Sequence, residues 1–188
     1  MAYSEEDKKL LWEVSEPTLK LHTPVFDVMT QHEVAANGVE GDYITLKARD
    51  WAMVIPVIED DFIMVRQWRH SLKALTTEFP GGVADPNEDI SVSALRELEE
   101  ETGYKVGKLT KLGAINPNPA LFSNTFHIFL AEDLEATGAQ HLDHDELLSI
   151  KRIPIKEVIS GYGNEDYQHG LMGTALAFYL RHVMNKES

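Results

Sequence analysis

The chain has 188 residues, enough for one sizeable core, and its 43% hydrophobic and 26% charged residues are ordinary globular usage. It has no cysteine, which excludes disulfides and thiolate metal sites. The net charge is −14 and no basic run interrupts it, so nucleic acid is disfavoured as a partner. The same acidity opposes a phosphate ligand unless divalent cations stand between carboxylates and phosphates. Met1 to Val14 is charged and lacks the apolar stretch of a signal peptide. The longest apolar run, around Trp51–Ile58, is too short to span a bilayer. A soluble, cytoplasmic protein with no membrane partner is expected.

In chain order, residues 5–20 read as a polar lead-in with some helical or irregular structure. Lys20 to Leu46 alternates β-branched or aromatic residues with polar ones, which predicts short strands around a turn at Ala35-Ala36-Asn37-Gly38. Two apolar runs, 52–58 and 62–68, flank an acidic turn and predict a buried hairpin. Thr76 to Phe79 predicts a short strand ended by Pro80-Gly81-Gly82. Residues 89–102 predict a helix, with Asp89 as N-cap, Gly103 as C-terminal cap, and an apolar stripe of Ile90, Ala94, Leu95 and Leu98. Asp85-Pro86-Asn87-Glu88 is an alternative start one turn earlier. Lys108 to Ile115 and Thr125 to Ala131 predict strands, 132–147 an acidic loop, and Leu148 to Ile153 a last strand. A short helix at 155–160 and an amphipathic helix from Leu171 to Met184 complete the chain. The elements mix without regular βαβ alternation, which predicts an α+β fold.

Chemistry concentrates in the predicted helix. Glu97, Glu100 and Glu101 are spaced i, i+3 and i+4, so they share one face. Adjacent carboxylates repel, and hard divalent cations that prefer oxygen ligands would relieve that repulsion. A bare acidic cluster is more often a solvated face. Here, however, the cluster belongs to a pattern of eight fixed residues: Gly82, Glu88, Arg96, Glu97, Leu98, Glu100, Glu101 and Gly103. Eight such matches would recur by chance in roughly one chain in 10⁶–10⁷.

These residues resemble the Nudix signature: Gly, five residues, Glu, seven residues, Arg-Glu, aliphatic, any, Glu-Glu, any, Gly, aliphatic. Tyr104 stands where an aliphatic is usual, at a packing position. The resemblance implies a Nudix fold, a mixed β-sheet sandwiched between α-helices, here preceded by a small amino-terminal β region. It divides the chain into residues 1–49, an amino-terminal strand region for dimerisation, and residues 50–188, the Nudix hydrolase domain. It further implies Glu97, Glu100 and Glu101 as ligands of Mg²⁺ or Mn²⁺, with Arg96 and Glu88 bracing loop and helix. Gly82 permits the turn that feeds the helix.

Val65-Arg66-Gln67-Trp68-Arg69 and Glu78-Phe79-Pro80-Gly81-Gly82 resemble the matching segments of ADP-ribose pyrophosphatases and nucleoside-diphosphate-sugar hydrolases. That branch usually has Ala at position 81, whose backbone carbonyl is a metal ligand, so the change to Gly81 is expected to be harmless. The implied reaction is metal-dependent hydrolysis of the phosphoanhydride of ADP-ribose or a related substrate by a homodimer. Alternatives are a Nudix enzyme for dinucleotide polyphosphates or modified nucleoside triphosphates, or a nucleotide sensor without turnover. Arg69 and Glu78 are implied substrate contacts. Trp68, Tyr43 and Phe122 are candidates for base stacking or plain core or interface aromatics. Asn116, Asn118, Ser123 and Asn124 can bond a sugar or simply make turns. The general base is assigned to Glu146, with Asp145, Asp143 and His144 behind it, against a solvated acidic loop as the other reading. His141 and His144, lacking a third ligand, are read as loop residues.

Overall fold

A computed structural model describes residues 3–138, 140–142, 144 and 146–186. The chain forms two compact units, residues 1–49 with 116–124, and residues 50–115 with 125–188.

The first unit is an antiparallel sheet of β1 (Trp12–Val14), β2 (Thr18–His22), β3 (Phe26–Ala35) and β4 (Glu40–Ala48). β3 is the hub and pairs with the other three. The β3–β4 hairpin runs from Phe26↔Ala48 to Val34↔Glu40, and its turn uses Gly38 at φ 83°. The lead-in expectation holds only in part. A 3-10 turn covers only Asp7–Leu10, and β1 and β2 follow it. Each of these strands is short, and its partner lies farther along the chain in β3, so local pattern alone does not reveal it. None of the four strands carries a buried residue.

The second unit contains β5 (Trp51–Ile58), β6 (Asp61–Arg69), β7 (Ala74–Glu78), β8 (Gly81–Val83), α1 (Ile90–Thr102), β9 (Tyr104–Ile115), β10 (Phe126–Ala136), β11 (Leu148–Pro154), α2 (Ile155–Gly161) and α3 (Gly170–Lys186). Its sheet runs β11-β6-β5-β10-β9. β5 and β10 are parallel, and the other pairs are antiparallel. β5 and β6 stay paired only at Val57↔Phe62 and Ile58↔Asp61. They then diverge, β6 toward β7 and β11, β5 toward β8 and β10.

Alternation along β5 sends Ala52 and Val54 to one face and Met53 and Ile55 to the other. The first face packs on α1 through Ala94 and Leu98. The second packs with Phe62, Met64, Phe79 and Phe126 on Met172 and Leu176 of α3. The result is an α+β sandwich, a mixed sheet between helices. Fully burying each of these large side chains stabilises by about 1.5–3 kcal/mol.

Three local expectations change. Leu95 leaves the α1 stripe and is 37% exposed, whereas Ala94 and Leu98 are fully buried. β10 continues to Ala136 through acidic residues expected in a loop, because Glu132 meets Lys108 at 2.6 Å and Glu135 faces Lys105. β7 ends before Pro80 as expected, but Gly81 and Gly82 then form β8 against Met53 and Ala52. A Cβ on Gly81 would lie 2.2 Å from the Ala52 carbonyl oxygen, and the backbone there has φ 153°. Ala at 81 is therefore not equivalent to Gly in this chain.

Candidate active site

α1 carries the acidic side of the site. Asp89 is extended at ψ 133° and its carboxylate accepts the Ser91 N–H at 2.9 Å, so the helix starts at Ile90 and not at Pro86. Gly103, left-handed at φ 66°, closes the other end by donating its N–H to the Glu99 carbonyl. Between these caps the i, i+3, i+4 spacing turns Glu97 and Glu101 toward β8. Glu97 occupies the space that a side chain at Gly82 would fill: a Cβ there would meet its carboxylate at 2.6–2.8 Å. Glu101, only 4% exposed, accepts the Gly81 N–H at 2.9 Å.

Arg96 organises the neighbouring carboxylates. Its Nη1 donates to Glu100 at 2.9 Å and lies 3.0 Å from Glu97, and its Nη2 donates to Glu88 at 3.3 Å. Glu88 also accepts from the Ser93 hydroxyl. Loop and helix are thus tied at two points. Hydrogen bonds from Ser93 and Arg96 hold the Glu88 carboxyl below its usual range. Glu97 and Glu101 move the other way. Burial raises Glu97, Arg96 opposes that rise, and Glu100 and Glu146 add to it. Burial pushes Glu101 up to about 8, with Glu97 and Glu146 reinforcing and the Gly81 N–H opposing.

The segment after β10 docks on the C-terminal end of α1. Thr137 donates to Gly103, Gln140 to the Glu101 carbonyl, and the His141 N–H to the Glu100 carbonyl. This brings Glu146 close enough for its charge to raise both Glu97 and Glu101. Asp143 and Asp145 lie outside the described residues.

The other side of the site is a cavity of about 230 Å³ lined by apolar residues, among them Trp51, Phe79, Phe126 and Leu171, and also by Gly81, Gly82, Arg69 and His169. Arg69 is anchored by Glu78, Nε to Oε1 at 2.8 Å and Nη2 to Oε2 at 2.5 Å. Glu78 is fully buried, also accepts from the Thr76 hydroxyl, and does not line the cavity. Its burial would raise its carboxyl, but Arg69, His169 and Thr76 together hold it below the ordinary value. His169 stands 3.7 Å from Glu78 and carries no motif that sequence reasoning could use.

Other sequence candidates sit elsewhere. Trp68 is 47% exposed and, by strand alternation, points to the face opposite Arg69. Tyr43, Phe122 and Ser123 belong to the first unit. Tyr43 packs edge-on against Trp12, Phe122 edge-on against Phe26, and Ser123 donates to Leu46. Asn116 and Asn118 make turns: Asn116 accepts from the Asn118 N–H and donates to Phe122 and Asn124 carbonyls, and Asn118 accepts from Ala120. Asn124 donates to the Arg49 carbonyl.

The donor set fits a hard divalent cation. Glu97, Glu100 and Glu101 offer only oxygen, and burial raises Glu97 and Glu101, so a cation bound beside them would favour their ionised forms. Among the described residues, no three acidic or imidazole groups form a closed cage, because Arg96 stands between Glu97 and Glu100.

The family model for the NUDIX domain matches residues 48–171. The ADP-ribose pyrophosphatase of Bacillus subtilis (strain 168) is 32% identical over 137 residues, covering 72% of this chain and 74% of that one. The ADP compounds hydrolase NudE of Escherichia coli (strain K12) is 28% identical, covering 75% and 76% respectively. A crystal structure of an ADP compounds hydrolase superposes with a TM-score of 0.83 at 24% identity, over 94% of this chain and 97% of that one. No helix among the described residues is long and apolar enough to cross a membrane.

Proposed function

Because this chain belongs to the Nudix family, we propose that it hydrolyses the phosphoanhydride of ADP-ribose or a related nucleoside-diphosphate sugar, releasing a nucleoside monophosphate and a sugar phosphate. The observation that carries this reading is the α1 face, where Glu97 and Glu101 crowd against the Gly81–Gly82 backbone with Glu146 beside them. The ADP-ribose pyrophosphatase and NudE relatives supply the substrate class.

In this reading Glu97, Glu100, Glu101 and the Gly81 carbonyl hold Mg²⁺ or Mn²⁺. A cation held there would supply charge neutralisation for the diphosphate and would favour a water nucleophile near neutral pH. Arg96 shares its guanidinium between Glu97 and Glu100 and keeps both aimed from the helix. Glu146 accepts the proton of the attacking water, whose oxygen bonds to one phosphorus in line as the P–O bond to the other phosphate breaks, so that one product leaves as the nucleoside monophosphate and the other as the sugar phosphate. Arg69, held by Glu78, turns its remaining N–H groups toward the substrate.

The first unit supports a homodimer. Its sheet buries nothing within itself, and Leu19, Leu21, Val39 and Ile44 are all more than half exposed. The cytoplasm is the proposed location, in keeping with a chain that has no cysteine.

The test is phosphate release, coupled to a phosphatase, with ADP-ribose, GDP-mannose, UDP-glucose and a dinucleotide polyphosphate, each with Mg²⁺, Mn²⁺ or chelator. ADP-ribose is expected to be turned over fastest, and only with metal. No turnover of any of the four would sink the reading.

A further inference from the structure

His169 is fixed from three directions. Its Nδ1 accepts the Met172 N–H at 3.3 Å, so it caps α3, and its carbonyl accepts the Gly173 N–H at 3.3 Å. The same carbonyl accepts from the Tyr162 hydroxyl at 3.3 Å. Tyr162 reaches it across Gly173, where a Cβ would lie 2.0 Å from that hydroxyl. The preceding turn is pinned to β6 and β7: the Thr77 N–H donates to the Asp166 carbonyl at 2.7 Å, and Arg66 Nη1 donates to the Asp166 carboxylate at 2.7 Å. Tyr167 is buried in the core between them.

With Nδ1 occupied as an acceptor, the neutral ring carries its proton on Nε2. Burial lowers the imidazole from its ordinary value against the pull of Glu78, which keeps the ring neutral. The nearest carboxylate, Glu78, is 3.7 Å away, beyond a hydrogen bond, and is already engaged by Arg69 and Thr76. His169 therefore brings a rigidly oriented donor to the lining of a cavity whose other walls include Trp51, Phe79, Phe126 and Leu171. At about 230 Å³ the cavity is smaller than pockets that enclose a whole drug-sized ligand, so it suits one ring of a larger molecule. Gly81 and Gly82, the backbone against which Glu97 and Glu101 pack, also line it.

We propose that this cavity is the subsite for one terminal ring of the substrate, and that His169 is a specificity-determining residue there. Its Nε2–H donates to an acceptor atom on the ring's edge, beside Arg69, while the apolar walls hold the ring. This rests on the hydrolase reading, since it places the diphosphate at the α1 carboxylates. The acceptor-bearing ring is either the nucleobase or the terminal ribose.

Two variants separate recognition from folding. His169→Asn keeps a side-chain acceptor that caps α3 but cannot reach the ring. His169→Gln keeps a donor at similar reach. For the Asn variant the KM for ADP-ribose is expected to rise about tenfold, the worth of one hydrogen bond, with kcat within about twofold and an unchanged thermal midpoint. Gln is expected to restore most of the KM. Calorimetry with AMP and with ribose 5-phosphate identifies the ring, because only the product seated in the cavity should bind more weakly to the Asn variant. Unchanged KM and unchanged affinity for both products would overturn the subsite even if ADP-ribose is turned over. Equal loss in Asn and Gln variants, seen in kcat alone, would also overturn it and mark a structural role. If ADP-ribose is not hydrolysed, the product titrations still read the subsite.

Discussion

Glu97, Glu100 and Glu101 come from five consecutive residues of one helix, whereas Arg69, Glu78 and His169 come from β6, β7 and the start of α3. The first group is like-charged, and burial pushes two of its carboxyls upward. The second is charge-balanced, with Glu78 held ionised by Arg69. A helix can align like charges because backbone hydrogen bonds impose the spacing regardless of repulsion. Residues from three elements have no such scaffold and stay together only through mutual bonding and packing. One half of the site therefore gathers carboxyls whose ionisation a bound cation would favour, and the other settles its charges internally.

The largest effect is expected on the helix half. Glu100→Gln should cut kcat/KM by about 1,000-fold, roughly 4 kcal/mol of transition-state stabilisation. Circular dichroism and the unfolding midpoint should change little, because Glu100 is partly exposed and its partner Arg96 keeps Glu88 and Glu97. Near-normal turnover would remove Glu100 from the metal site. The dispersed half should respond in the opposite currency. Glu78→Gln leaves Arg69 without its buried partner and is expected to cost about 3 kcal/mol of stability in urea unfolding, the low end for a broken buried pair because Arg69 is 38% exposed. A loss below about 1 kcal/mol would show that Arg69 finds other partners and that the cavity wall is not held by this pair.

The same contrast decides what could be read without coordinates. Gly82, Glu88, Arg96 and the three carboxylates fall in one short stretch whose helical period and caps are local properties, so their shared face follows from spacing. Arg69 and Glu78 could be reached only through resemblance of their segments. His169 carries no local signal, because its place depends on Asp166 bonding to residues in β6 and β7 and on the Tyr162 hydroxyl reaching its carbonyl, and no local pattern links these. The fold shows the same limit. The α1 caps and the β5–β6 hairpin were legible, whereas β1 and β2 were not, since both depend on a partner farther along the chain. The end of β10 was misread because its acidic residues are compensated across the sheet, by Lys108 and Lys105.

A smaller, pH-dependent effect distinguishes the halves again. Folded Glu101 titrates at about 8 against an ordinary 4.5, so between those values the folded state holds a proton that the unfolded chain has released. Stability of the metal-free protein should therefore fall as pH rises through that window, by at most about 1.4 kcal/mol per unit from this group. His169 has the opposite sign: its lowered value adds stability as pH rises toward 6.5 and nothing more above it. From pH 6.5 to 8 the Glu101 slope should emerge, and the difference between wild type and Glu101→Gln in chelator isolates it. Divalent cation should stabilise more at pH 8 than at pH 6.5, because binding requires the released carboxylate. A flat difference between the two proteins would show that Glu101 is already ionised without metal.

The smallest expected effect tests how firmly the helix half is held. Asp89→Ala removes the acceptor of the Ser91 N–H and should cost about 1 kcal/mol of stability. Turnover should fall by less than about threefold. The carboxylates lie two or more turns beyond the cap, and other ties hold that stretch: Arg96 and Ser93 both bond Glu88, and Gly103 closes the far end. Loss of the cap should fray the first turn without rotating Glu97 or Glu101 away from β8. Affinity for whichever product occupies the cavity should not change, since Asp89 touches nothing in its wall. A tenfold or greater loss of turnover at the same 1 kcal/mol would mean that the start of α1 sets the carboxylate register. The contiguous half would then be no better preorganised than the dispersed one, for all the regularity of its spacing.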